Sequence, residues 1–129
     1  MGLKIPDLPR NVKIVPVGEF TQVTPHGELD FETSRDLLHR LVFSEDAPDR
    51  IMIDLRDADW QVMHDGDLFK LIDLCTAEPS ALSKHIVFLD GEDSRFSNGE
   101  FFELLARHKG LKFRSCTDFE NAVELLHQM

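Results

Sequence analysis

Ile51-Met52-Ile53-Asp54-Leu55, then the polar stretch from Arg56 to His64, then Asp65-Gly66-Asp67-Leu68-Phe69, is the passage whose reading decides the fold. A run that is apolar at all but one position and bounded by polar sequence predicts a strand covered on both faces. The polar stretch predicts a loop. The residues after it predict a helix from about Asp65 to Cys75, with Leu68, Leu71, Ile72 and Cys75 on its inner side. A buried strand handing over to an amphipathic helix is the repeating unit of a parallel or mixed sheet.

The same unit recurs downstream. His85-Ile86-Val87-Phe88-Leu89 reads as a second buried strand, ending at Asp90-Gly91. Ser97-Asn98-Gly99-Glu100 has capping-box spacing, which makes Ser97 the expected cap of a helix carrying Phe101, Phe102, Leu104 and Leu105. His108-Lys109-Gly110 supplies the basic residues and the glycine expected at its end. Leu111 to Arg114 predicts a short strand, and Thr117-Asp118-Phe119-Glu120 a second capping box, with Thr117 as cap and Phe119, Ala122, Val123 and Leu126 facing the sheet. Upstream, Val12 to Val17 and Phe20 to Thr24 predict a hairpin turning at Gly18-Glu19, with Pro16 marking an edge or a bulge. Asp30 is placed to cap a helix whose inner stripe is Leu37, Leu38, Leu41 and Val42. Glu78-Pro79-Ser80 interrupts the pattern, and a short extra turn is expected over 81–84. The order is β-β-α-β-α-β-α-β-α. It predicts an α/β domain over 12–129 with a mixed sheet, an N-terminal hairpin and about four helices packed against it. An extended lead-in over 1–11, with Pro6 and Pro9, precedes it.

Composition narrows the partners. A chain of 129 residues, 42% hydrophobic and 29% charged, suits one globular core and leaves no room for a second. The 24 acidic and 14 basic residues give a formal net charge of -10 that is spread along the chain, so nucleic acid and anionic membrane surfaces are poor partners. No segment approaches the roughly 20 apolar residues of a membrane span, and no signal-peptide pattern opens the chain. Cytoplasmic location without membrane insertion is the expectation. Cys75 and Cys116 match no metal or redox spacing and are expected to be reduced and buried.

The chemistry-bearing residues do not assemble into a reaction. Asp54, Asp57, Asp59, Asp65 and Asp90 lie near expected strand ends, where carboxylates can hold a divalent cation, as in a metal-dependent phosphoryl-transfer or receiver-like domain. That reading lacks an acidic pair after the first parallel strand. It also lacks a lysine after the last, where Ser115, Cys116 and Thr117 stand. Histidines 26, 39, 64, 85, 108 and 127 form no short ligand spacing, and no phosphate-cradling glycine loop is present. Ser94 and Cys116 have no base placed beside them by the sequence. No catalytic residue, metal ligand or cofactor is assigned. Whether the chain is an enzyme stays open here, with the residues favouring binding over turnover.

Gly27-Glu28-Leu29-Asp30 leading to a helix near Thr33 carries a resemblance, as do Ile53-Asp54-Leu55, Phe113-Arg114-Ser115 and Asn121-Ala122-Val123-Glu124-Leu125-Leu126. From Val12 to Leu126 the chain resembles the STAS superfamily, specifically its SpoIIAA-like, anti-sigma-factor-antagonist group. The resemblance implies a regulatory protein-interaction domain. In that group the helix after the central strand opens with an acidic residue and a Ser or Thr, whose phosphorylation controls binding to a partner kinase. Here Asp65 matches the acid, while Gly66 and Asp67 stand where the hydroxyl would be. Asp65 is the expected helix cap. The expected partner surface is the 56–69 segment: Trp60 and Met63 as apolar anchors, His64, Asp65 and Asp67 as polar contacts, and Gly27 to Asp30 beside them. It would meet an unidentified protein of basic or mixed charge, and the hairpin edge offers a second route, to a homodimer. A small apolar-ligand or lipid-binding domain is the alternative, recognisable by a pocket between helices and sheet.

Overall fold

The apolar run in the middle of the sequence lies in the middle of the sheet. The structure, a computed structural model, describes residues 12–42, 48–60, 62–91 and 98–128, so the lead-in over 1–11 and the Ser97 cap lie outside it. Its strands are β1 (Val12–Val17), β2 (Phe20–Pro25), β3 (Gly27–Glu28), β4 (Arg50–Asp54), β5 (Ala58–Asp59), β6 (His85–Leu89) and β7 (Lys112–Cys116). Its helices are α1 (Phe31–Val42), α2 (Asp65–Thr76), α3 (Asn98–His108) and α4 (Phe119–Gln128), with a 3-10 turn over Pro79–Ser83. Among the described residues the main sheet runs β1-β2-β4-β6-β7. β1 is antiparallel to β2, and every later neighbour is parallel. The expected mixed sheet, hairpin and helices are all present. A separate parallel pairing of β3 with β5 was not anticipated, because two residues are too few to show a period.

Alternation along the strands explains why the central runs are apolar throughout. Ile51, Ile53, Ile86, Phe88 and Phe113 pack on one face with the inner stripes of α1, α2 and α3. Met52, Val87 and Leu89 point the other way and pack with Ala122 and Leu126 of α4. Phe88 meets Phe102 and Phe113 edge-on, with ring centroids 5.2 and 5.7 Å apart, an aromatic geometry favoured over face-to-face stacking. No described helix is long and apolar enough to cross a membrane.

Helix ends follow the chemistry expected of them, with two shifts of one residue. Asp30 accepts the Thr33 N–H at 2.8 Å, as the sequence predicts, and that bond holds its carboxyl below the ordinary value. At α2 the cap is His64 rather than Asp65. His64 is extended, Asp65 is already helical, and the Asp67 carboxylate reaches back to accept the His64 N–H at 3.1 Å. At α4 the cap is Asp118 rather than Thr117, since the helix begins at Phe119 and the Asp118 carboxylate accepts the Asn121 N–H at 3.1 Å. Gly110, at φ 82, ends α3 in a left-handed turn in which the Leu111 N–H reaches the Ala106 carbonyl at 2.9 Å.

Both cysteines are free, but they differ in burial: Cys75 is enclosed on the inner face of α2, whereas Cys116 is only half-buried. Burial pushes the Cys75 thiol up to about 12 and raises that of Cys116 as well. A thiol reagent near neutral pH should therefore modify Cys116 first and Cys75 only as the protein unfolds. Equal labelling rates in the native protein would contradict the placement of Cys75.

Candidate functional site

Asp54 ends β4 at the carboxyl pole of the sheet, and it is 4% exposed. Its oxygens are occupied by the chain's own groups. Arg56 Nε donates to Oδ1 at 2.9 Å and Nη2 to Oδ2 at 2.8 Å; the Arg56 backbone N–H adds a bond of 3.1 Å and Gln22 Nε2 one of 3.0 Å. The guanidinium also lies over the Phe119 ring, 5.7 Å from its centroid. Burial alone pushes the Asp54 carboxyl up, but the donors from Arg56 and Gln22 together outweigh it and hold the group below its ordinary value. A carboxylate engaged in this way secures a turn and presents no open oxygen to a metal or substrate.

After that turn, closed by the Ala58 N–H to the Leu55 carbonyl at 3.1 Å, the chain runs alongside the segment entering α1. The Gly27 N–H donates to the Asp57 carbonyl at 3.1 Å and the Leu29 N–H to the Asp59 carbonyl at 2.7 Å. His26 Nδ1 stands 3.8 Å from the Asp57 carboxylate. Gly27, at φ 82, permits the sharp exit from β2 that makes this pairing possible. Gly27 to Asp30 thus does lie against the 56–69 segment. The result is a surface on which the exposed carboxylates of Glu28, Asp30, Asp57, Asp59 and Asp65 come from two stretches of chain. No group of three or more metal-ligating side chains converges among the described residues.

Two expected anchors turn inward. Trp60 and Met63 are each 5% exposed and pack with Leu29, Leu37, Leu38 and Leu55 in the main core. Neither can present an apolar surface to a partner, because a large side chain gains more by leaving water here than by facing it. The exposed apolar groups beside the turn are Val62, 40% exposed, and Phe69, 49% exposed, the latter edge-on to Phe101 at 5.8 Å. Phe69 stood in the sequence with a usable signal: it falls off the 68, 71, 72, 75 stripe of α2. His64 and Asp65 are exposed, and Asp67 is half-buried by its bond to the His64 N–H.

The space between helices and sheet is small. Trp60, Met63, Leu37, Phe88 and the buried Ser34 surround an apolar cavity of about 30 Å³, and the Ser34 hydroxyl has no partner among the described residues. That volume is on the scale of a single water molecule, against roughly 300–1,000 Å³ for a ligand pocket. The apolar-ligand reading finds no chamber there.

A hairpin entering a parallel sheet, three helices on one face and α4 on the other define a SpoIIAA-like fold. Solved structures similar to the chain carry the same fold. An anti-sigma factor antagonist from Mycobacterium paratuberculosis matches with a TM-score of 0.57 at 14% identity, over 90% of this chain and 92% of that one. An uncharacterised DUF3478-family protein from Shewanella loihica, described as having a SpoIIAA-like fold, matches with a TM-score of 0.54 at 12% identity, over 89% and 91%. The anti-sigma factor antagonist SpoIIAA in its unphosphorylated form aligns over 92% of this chain and 99% of its own at 15% identity, TM-score 0.49. At these identities the likeness is one of fold. No family profile matches the chain, and no curated protein is similar enough in sequence to count as a relative.

Proposed function

We propose that the chain is a non-catalytic regulatory domain that binds another protein through the surface formed by β3, β5 and the start of α2. The observation that carries this reading is the pairing of β3 with β5, which brings the exposed Glu28 and Asp59, with Asp30 and Asp57 close to them in sequence, together from two distant segments; the exposed Asp65 and Phe69 follow at the start of α2. Exposed carboxylates followed along the same segment by an exposed ring suit a partner of basic or mixed charge: the charges speed and orient the encounter, and the ring supplies affinity once the partner covers it. The fold shared with anti-sigma factor antagonists is an analogy that agrees with such a role. Gly66 and Asp67 leave no hydroxyl at the head of α2, so binding here would not be switched by Ser or Thr phosphorylation at that turn. Homodimerisation through β1 is the lesser route, since Pro16 and the exposed Lys13 discourage strand pairing along that edge.

The test is affinity capture from the native cell extract, comparing the wild-type chain with an Asp59→Lys/Asp65→Lys/Phe69→Ser variant. These positions avoid the core residue Trp60 and the cap-supporting Asp67. Loss of the captured protein with a cooperative unfolding transition retained is the expected result. Equal capture by both proteins would reject this surface.

A further inference from the structure

The opposite pole of the sheet carries a cleft of contrary charge. β6 begins at His85 and β7 at Lys112, and the parallel register sets these two residues side by side. Arg107 lies in the last turn of α3, a few residues before β7, and Arg114 follows two positions into that strand. Together these four side chains line a cleft of about 380 Å³, inside the roughly 300–1,000 Å³ range of small-molecule sites. None of the described residues lining it is acidic, in a chain of formal net charge -10. Leu125 and Gln128 from the last turn of α4 form the facing wall.

The state of the lining groups points the same way. Arg107 and Lys112 are exposed and take part in no ion pair among the described residues. Arg114 is partly engaged, its Nε donating to Glu103 Oε1 at 2.9 Å. The enclosed His85 Nδ1 has no hydrogen-bond partner among the described residues. Arg107 and Lys112, which share the cleft without an ion-pair partner among the described residues, repel one another, and a bound anion relieves that repulsion.

We propose that this cleft binds a small phosphate monoester, with Arg107 and Lys112 contacting the phosphate and Leu125 lying against the organic part. A doubly charged head group fits better than a single carboxylate, because two cations with no ion-pair partner among the described residues line the cleft and the guanidinium fork matches phosphate oxygens. The site is independent of the acidic surface at the other pole.

His85 provides an internal probe. Burial, then Lys112 and Arg50, hold its imidazole below the ordinary value, with Asp49 opposing; Arg107 and Arg114 share the cleft. A dianion placed among these groups favours the imidazolium, so binding should raise the His85 pKa.

The experiment is an NMR titration of the full chain with glycerol 3-phosphate, with inorganic phosphate, acetate and phosphatidic-acid vesicles as separate arms. Saturable shifts confined to Lys112, Leu125 and His85, with an upward move of the His85 pKa, are expected from glycerol 3-phosphate, and weaker ones from inorganic phosphate. An Arg107→Gln/Lys112→Gln variant should bind about tenfold more weakly or worse, the loss expected of two screened charge contacts. Both positions are exposed, so its melting temperature should match the wild type. No saturable shift at millimolar ester, an unmoved His85 pKa, or undiminished binding by the double variant would overturn the proposal. So would acetate binding as tightly as the ester, or binding to vesicles alone.

Discussion

Trp60→Ala is expected to lower the unfolding free energy by about 3–5 kcal/mol, as a core aromatic deletion does, and the melting temperature by on the order of 10–20 °C. The indole is 5% exposed and already borders a cavity of about 30 Å³ together with Leu37, Met63, Phe88 and Phe102. Removing it enlarges that space. Collapse into the space is resisted because Trp60 follows β5, which is tied to β3 through the Leu29–Asp59 and Gly27–Asp57 hydrogen bonds. The loss should therefore sit toward the upper part of the range. Phe69→Ala, with a ring half in water, should cost about 1 kcal/mol or less. Urea unfolding of the two variants separates anchor from core. A Trp60→Ala protein within 1 kcal/mol of wild type by that measurement would return the residue to the surface. Because Trp60 is the single tryptophan in the chain, its fluorescence offers a direct check: blue-shifted emission with weak iodide quenching.

What sequence periodicity could and could not reveal divides along physical lines. The strands at 50–54 and 85–89 are legible because both faces are covered, so nearly every side chain must be apolar whatever its direction. The helix stripes are legible because burial on one side imposes three-to-four spacing. Trp60 and Met63 sit in a polar loop with no period, and only the tertiary packing of α1 beneath them decides that they point inward. The caps at 64 and 118 each lie one residue from an equally plausible polar neighbour, and the choice rests on where helical backbone begins. The two segments of the proposed surface, Gly27 to Asp30 and 56–69, stand in the sequence as acid-bearing stretches, while the β3–β5 bridge that joins them leaves no pattern. The basic cleft was invisible, since its cations are distributed from 85 to 114 in a chain whose overall balance is acidic.

Asp54→Asn should be the most costly change outside the apolar core, at about 2–3 kcal/mol, because several charge-assisted hydrogen bonds end on one buried carboxylate. A value at the 3–5 kcal/mol of fully buried ion pairs is not expected, since the Arg56 side chain is 47% exposed and can rehydrate. The pH dependence has a definite sign. The folded carboxyl lies below its ordinary value, so the native state holds its proton less tightly than the unfolded chain. Its contribution is fully present above the unfolded value of about 3.9 and is lost as pH falls through the lower folded value. The stability gap between wild type and Asp54→Asn should therefore be flat near neutrality and close progressively in acid. Arg56→Gln should show the same closing gap for the opposite reason: without the guanidinium, burial acts against the carboxylate, and protonation then relieves the variant. Chemical denaturation of the three proteins from neutral pH into the acid range measures both gaps. A wild-type-to-Asn difference that holds constant through that range would show that Asp54 contributes by shape and neutral hydrogen bonding alone, and the charge-based account of this turn would fail.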